Sequence, residues 1–163
     1  MKIIFRNIIY LAIWLYRKPR GLLSLIKLRV MLKNVGQGTR ADLSVEIKYP
    51  QNLSIGKNVG IGPSSTIGAH SLITIGDNVR ISKGVTIETA GLDLSCPLPY
   101  PHVSKPIVIS EGAWLGTRCI ILGGVTIGKY AVIGAGAIVT KDIGDYEIVV
   151  SQPFRVIKKH TGE

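Results

Sequence analysis

Between Ile109 and Thr140 the sequence divides into blocks of six, ISEGAW LGTRCI ILGGVT IGKYAV IGAGAI VT. A branched aliphatic residue opens each block (Ile109, Leu115, Ile121, Ile127, Ile133, Val139), and glycine follows it at Gly116, Gly128 and Gly134. A period of six fits neither a helical face, which repeats every three to four residues, nor one long strand, which alternates. It fits a chain wound into a prism, in which each block supplies a short parallel strand and a corner. The aliphatic side chain points inward, where the blocks above and below bury it. The glycine is read as meeting a corner conformation that a β-carbon resists.

The same period begins at Ile55 and passes through Ile61 and Ile67, then slips to Ile75 through two extra residues near His70 and Ser71. Ile75, Ile81 and Ile87 restore it. Residues 88–105, ETAGLDLSCPLPYPHVSK, then interrupt it with Pro97, Pro99 and Pro101. Proline at alternate positions cannot sit in a central ladder, so this stretch is read as a loop extruded from the prism, and long loops on regular scaffolds are usually functional. Alternation from Ala41 to Pro50 predicts a strand that opens the prism. Twelve blocks in all make about four three-sided coils. The expected division is a helical segment over 1–40, a β-helix over 41–144 and a basic tail over 145–163. The fold class is all-β, and exposed faces and coil edges predict a homo-oligomer.

The net charge of +10 is concentrated at one end. Residues 1–40 hold nine Lys and Arg and no Asp or Glu, whereas the remainder is nearly balanced. A nucleic-acid partner is not expected, because its basic surface would lie on the folded body. MKIIFRNIIYLAIWLY is too short an apolar run to span a bilayer, which needs about 20 residues. No small-residue cleavage site follows it, which argues against a cleaved signal peptide. A second run, LLSLIKLRVMLK, ends at Lys33. Basic residues beside Trp, Tyr and Phe suit an interfacial helix on an anionic membrane. The alternative is a helix pair packed on the prism or on a neighbouring subunit. The expected location is cytoplasmic, peripheral on the inner membrane if the first reading holds. Cys96 and Cys119 make neither a disulfide framework nor a zinc set, and are read as a loop thiol and a wall thiol.

The stretch KPIVISEGAWLGTRCIILGGVTIGKYAVIGAGAIVTKD from Lys105, with the later SQPFRVIKK, resembles the hexapeptide-repeat acyltransferases, above all the O-acetyltransferases of sugars and polysaccharides. The resemblance implies a left-handed β-helix, a homotrimer with active sites between adjacent prisms, and acetyl-coenzyme A as co-substrate rather than a permanently bound cofactor. It places the donor along the last coils. Thr117, after the triplet Trp114, Leu115, Gly116, matches the position whose backbone N–H faces the thioester oxygen. Ala135 and Thr140 match positions lining the pantetheine arm, and Lys141, Arg155 and Lys158 match basic positions near the nucleotide phosphates.

Acetyl transfer to a hydroxyl needs a base and donors for the tetrahedral oxyanion, and histidine suits the base because it titrates near neutrality. Many relatives carry it in the loop before Lys-Pro-Ile, within T-x-x-H-D. Here the pattern reads Thr89, Ala90, Gly91, Leu92, Asp93, and leucine cannot act as a base. His102, in the same excursion, is the first candidate, with Asp93 as the group that orients it; His70 is the second, and no histidine base the third. Three isolated histidines, 70, 102 and 160, do not form a metal cluster. Gly123 replaces a usual turn proline, and Gln152 and Phe154 replace small residues near the proposed coenzyme pocket. The leading expectation is O-acetylation of a saccharide. The alternatives are N-acetylation of an amino sugar and a membrane-tethered trimeric scaffold without activity.

Overall fold

A computed structural model describes Leu23 and residues 26–32 and 34–150, and there the chain winds into a three-sided parallel β-helix. The first face stacks Asn34–Val35, Leu53–Ile55, Ile73–Ile75, Ile107–Ile109 and Thr126–Ile127. Arg40–Ala41, Gly60–Ile61, Arg80–Ile81, Trp114–Leu115, Val132–Ile133 and Ile148–Val149 make the second. Glu46–Lys48, Thr66–Gly68, Thr86–Glu88, Ile120–Leu122 and Ile138–Val139 make the third. Register puts aliphatic on aliphatic, with Ile55 on Ile75, Ile75 on Ile109 and Ile109 on Ile127. Ile67, Ile87, Ile109, Leu115, Ile121 and Ile127 are fully buried. Each removes its apolar surface from water only because a neighbour lies above and below, so the core is continuous along the prism axis.

The prism is longer than the hexads alone indicate: the second face has six levels, not about four. A coil through Val35, Ala41 and Ile47 precedes Ile55. Beyond Val139, Ile143 bridges Ile127 and Val149 pairs with Ile133. Steps from the first face to the second, and from the second to the third, are always six residues, as in Val35 to Ala41 to Ile47. Every irregularity falls on the return from the third face to the first. That return takes eight residues from Ile47 to Ile55 and from Ile67 to Ile75, twenty-two from Ile87 to Ile109, and four from Val139 to Ile143. The slip at His70 is thus one instance of a variable edge.

The glycines after the aliphatics have a different cause from the one expected. Gly116 and Gly128 do not adopt positive φ. A β-carbon on Gly116 would lie 2.5 Å from the Ile133 carbonyl oxygen, and one on Gly128 2.5 Å from the Asp145 nitrogen, so these glycines permit the close stacking of coils. The left-handed corner position comes two residues later and is often filled by other residues: Asn58, Asn78, Tyr130 and Tyr146 on one edge, Ser64 and Arg118 on the next.

Residues 26–31 form a helical turn against the first coils, with Leu28 and Leu32 in the core. The Lys27 ammonium donates to the carbonyls of Leu43 at 3.0 Å and Val45 at 2.7 Å. Part of the N-terminal segment therefore packs on the prism, while Leu23, Ile26 and Val30 face outward. Among the described residues no helix is long and apolar enough to cross a membrane. Residues 1–22 lie outside the described residues.

Residues 88–105 do leave the prism, as an ordered antiparallel hairpin of Ala90–Leu92 and His102–Ser104. Cys96 lies at its tip. Cys119 is a wall residue whose thiol is pushed up to about 11 by burial, which keeps it in the thiol form.

Candidate active site

Two groups of predicted residues occupy different edges of the third face. Gly116, Thr117 and Ala135 share the corner between the second and third faces, on successive levels joined by the Gly136 N–H donating to the Thr117 carbonyl at 2.9 Å. Thr117 is exposed, and among the described residues its own N–H donates to no group. An outward amide without a partner is what an oxyanion or thioester oxygen requires. Trp114 projects from the second face one step away, its indole N–H donating to Ser82 Oγ at 3.1 Å. Thr140 and Lys141 are exposed on the far side of Ile138–Val139, at the variable edge. Arg155, Lys158 and His160 lie outside the described residues.

The hairpin also leaves from that variable edge, and its register bears on the missing histidine. Leu92 and His102 are direct cross-strand partners. Asp93 N–H donates to the Pro101 carbonyl at 3.0 Å and Lys105 N–H to the Thr89 carbonyl at 3.1 Å. Alternation then makes Leu92 and His102 a non-hydrogen-bonded pair, with Cα atoms about 4.5 Å apart and side chains on one face. The imidazole is presented beside the position that the T-x-x-H-D pattern would fill. It is exposed and makes no hydrogen bond among the described residues.

Asp93 has other partners than the expected one. Its carboxylate accepts from Ser95 Oγ at 2.6 Å, Ser95 N–H at 3.0 Å and Cys96 Sγ at 3.5 Å. These bonds, the Ser95 hydroxyl first, hold its pKa below the ordinary carboxylate value. It braces the hairpin tip and acts on His102 only through the rung its backbone forms.

His70 sits under the hairpin base, with Nδ1 3.2 Å from Ser104 Oγ and the Tyr49 ring edge-on at 5.2 Å. Ser71 Oγ meets the same Ser104 hydroxyl, and Ser71 N–H donates to Thr89 Oγ1 at 3.0 Å. This polar column holds the hairpin strand that carries His102. It was not anticipated from sequence, although Tyr49 and His70 both occupy returns of eight residues. Within one chain the third face separates the hairpin from the Thr117 corner, and among the described residues no hydrogen bond joins them.

Comparison with known proteins bears on this arrangement. The family described as "Bacterial transferase hexapeptide (six repeats)" matches residues 106–141, and "Hexapeptide repeat of succinyl-transferase" matches residues 52–89. The chain is 38% identical over 138 residues to the galactoside O-acetyltransferase of Escherichia coli, covering 83% of this chain and 67% of that protein. A maltose O-acetyltransferase structure from Clostridium difficile superposes with a TM-score of 0.71 at 34% identity, over 81% of this chain and 72% of that one. A hexapeptide-repeat-containing acetyltransferase from Vibrio cholerae, solved with acetyl coenzyme A, gives 0.73 at 26% identity, over 80% and 73%. The chain belongs to the hexapeptide-repeat acetyltransferases. It is an acyltransferase whose donor is acetyl-coenzyme A.

Proposed function

We propose that this chain moves the acetyl group of acetyl-coenzyme A to a hydroxyl of a saccharide, at sites formed between adjacent chains of a homotrimer. The observation that carries this reading is the unshared Thr117 amide at an exposed corner, stacked beneath Ala135 and across the third face from a hairpin bearing His102. His102 takes the hydroxyl proton as the oxygen attacks the thioester carbon. The Thr117 N–H stabilises the oxyanion that forms, and collapse expels the coenzyme thiolate. Thr140, Lys141, Arg155 and Lys158 hold the arm and phosphates of the donor. The relatives that act on galactosides and maltose support a sugar hydroxyl as acceptor.

Calorimetry with coenzyme A, followed by an acetyl-transfer assay on galactoside and maltose, tests this. Saturable binding and an alkali-labile acetyl ester on the sugar are expected. Absence of coenzyme A binding would leave only a scaffold, and an acetyl amide formed on an amino sugar alone would move the chemistry to nitrogen.

The outward stripe of Leu23, Ile26 and Val30, next to Arg29 and the basic residues before it, supports docking of residues 1–33 on an anionic membrane surface. Full-length protein is then expected to float with phosphatidylglycerol vesicles, and a chain lacking residues 1–22 and carrying L23S, I26S and V30S to remain behind. Equal flotation of the two would remove the reading.

A further inference from the structure

Below Trp114 the outward column of the second face reads Arg80, Gly60, Arg40. Two guanidinium-bearing residues stand two strand spacings apart, about 10 Å at the backbone, with a residue lacking a side chain between them. Arg80 lies over that gap. Its Nη1 donates to the Asn58 carbonyl at 2.6 Å, and a β-carbon on Gly60 would lie 3.5 Å from the same nitrogen.

The result is an open notch of about 430 Å³ bounded by Gly38, Arg40, Asn58, Gly60, Asn78 and Arg80. It continues over Gly62 to Asp42, whose carboxylate accepts from the N–H and the hydroxyl of Ser44. Among the described residues neither arginine forms an ion pair. Apart from the bond from Arg80 to Asn58, this outward column does not pack the prism: it is Trp114, Val132 and Ile148 higher up, and the inward partners Ala41, Ile61 and Ile81 form the core. Two cations over a glycine floor form a cradle for oxyanions, while the rim amides are chained together, Asn58 Nδ2 donating to Asn78 Oδ1 and Asn78 Nδ2 to Glu111 Oε1, each at 3.4 Å.

We propose that this notch binds a diphosphate carried by the acceptor. The assignment rests on the acetyl-transfer reading above and narrows its substrate class to a diphosphate-linked saccharide. Arg80 reaches inward over Gly60 and Arg40 lines the opposite end, so the pair is spaced to meet anionic oxygens on both phosphoryl groups, which one carboxylate would not span. Trp114 is the register neighbour of Arg80, so a sugar attached to that diphosphate extends toward the Trp114–Thr117 level.

The test uses the full chain saturated with coenzyme A and titrated with inorganic pyrophosphate. The double variant R40Q/R80Q is expected to weaken binding about tenfold or more, as loss of charge-assisted bonds requires. Gly60→Leu is expected to weaken it as well, by filling the floor while keeping both charges. Unchanged affinity in both variants would overturn the proposal. Displacement of pyrophosphate by uridine diphosphate galactose assigns a soluble acceptor, and displacement by vesicles carrying a polyprenyl diphosphate assigns a lipid-linked one. Displacement by neither would overturn the assignment to an acceptor. Coenzyme A binding, read first, separates the two claims. Arginine-dependent pyrophosphate binding by a chain that binds no coenzyme A would sink acetyl transfer and keep the notch; coenzyme A binding with arginine-independent pyrophosphate binding would do the reverse.

Discussion

His102→Ala is expected to lower kcat for acetyl transfer by about 10²–10⁴-fold, the usual contribution of a positioned general base, and to leave coenzyme A affinity unchanged. The split follows from geometry, because His102 is on the hairpin and the corner proposed to bind the donor is across the third face. The hairpin also offers a rescue. Leu92 and His102 are cross-strand neighbours on one face, so Leu92→His in the His102→Ala background returns an imidazole to within a few ångströms of its former place. Partial recovery of kcat is expected. His70→Ala is expected to cost less, because His70 meets Ser104 and supports the strand rather than the reacting atoms. Full turnover by His102→Ala, with loss in His70→Ala, would move the base to His70.

Much of the prism was legible because a side chain that must be buried between identical neighbours repeats at the spacing of the winding. Ile109, Leu115, Ile121 and Ile127 could not satisfy that spacing by accident. The outer coils were harder to read for physical reasons. Ala41 is too small to stand out as a core position, and the return from Val139 to Ile143 takes four residues, so the last levels fall out of phase with a count by six. At Gly116 and Gly128 a sequence does not distinguish a left-handed φ from the close approach of a neighbouring coil's backbone, which is what the structure shows there.

The candidate site divides in the same way. Thr117 and Ala135 lie at fixed offsets in a regular repeat, so their sharing of one corner follows from the period. The pairing of Leu92 with His102 depends on how the excursion folds back, and nothing periodic encodes it. Asp93 looked like a partner for His102 because the two share a loop; the serine two positions on captures its carboxylate instead. Arg40 and Arg80 are unrelated in sequence, and only stacking at a twenty-residue spacing brings them to the two sides of Gly60.

The second large effect concerns the donor wall. Ala135 is exposed directly above Thr117, and Ala135→Tyr would place a ring where the pantetheine arm is proposed to run. Coenzyme A affinity is expected to fall by about 10²-fold, roughly 2.7 kcal/mol of binding, with little loss of fold because the side chain points outward.

Neither variant alone reveals which chain supplies which half of the site, but mixing them does. When His102→Ala and Ala135→Tyr chains are unfolded together and reassembled in equal amounts, some interfaces join an intact hairpin from one chain to an intact Thr117–Ala135 corner from another. If each site is shared between neighbouring chains of a trimer, acetyl-transfer activity should return to about one quarter of the wild-type rate. Activity no higher than that of the two variants assayed separately would contradict a shared site and return both halves to a single chain.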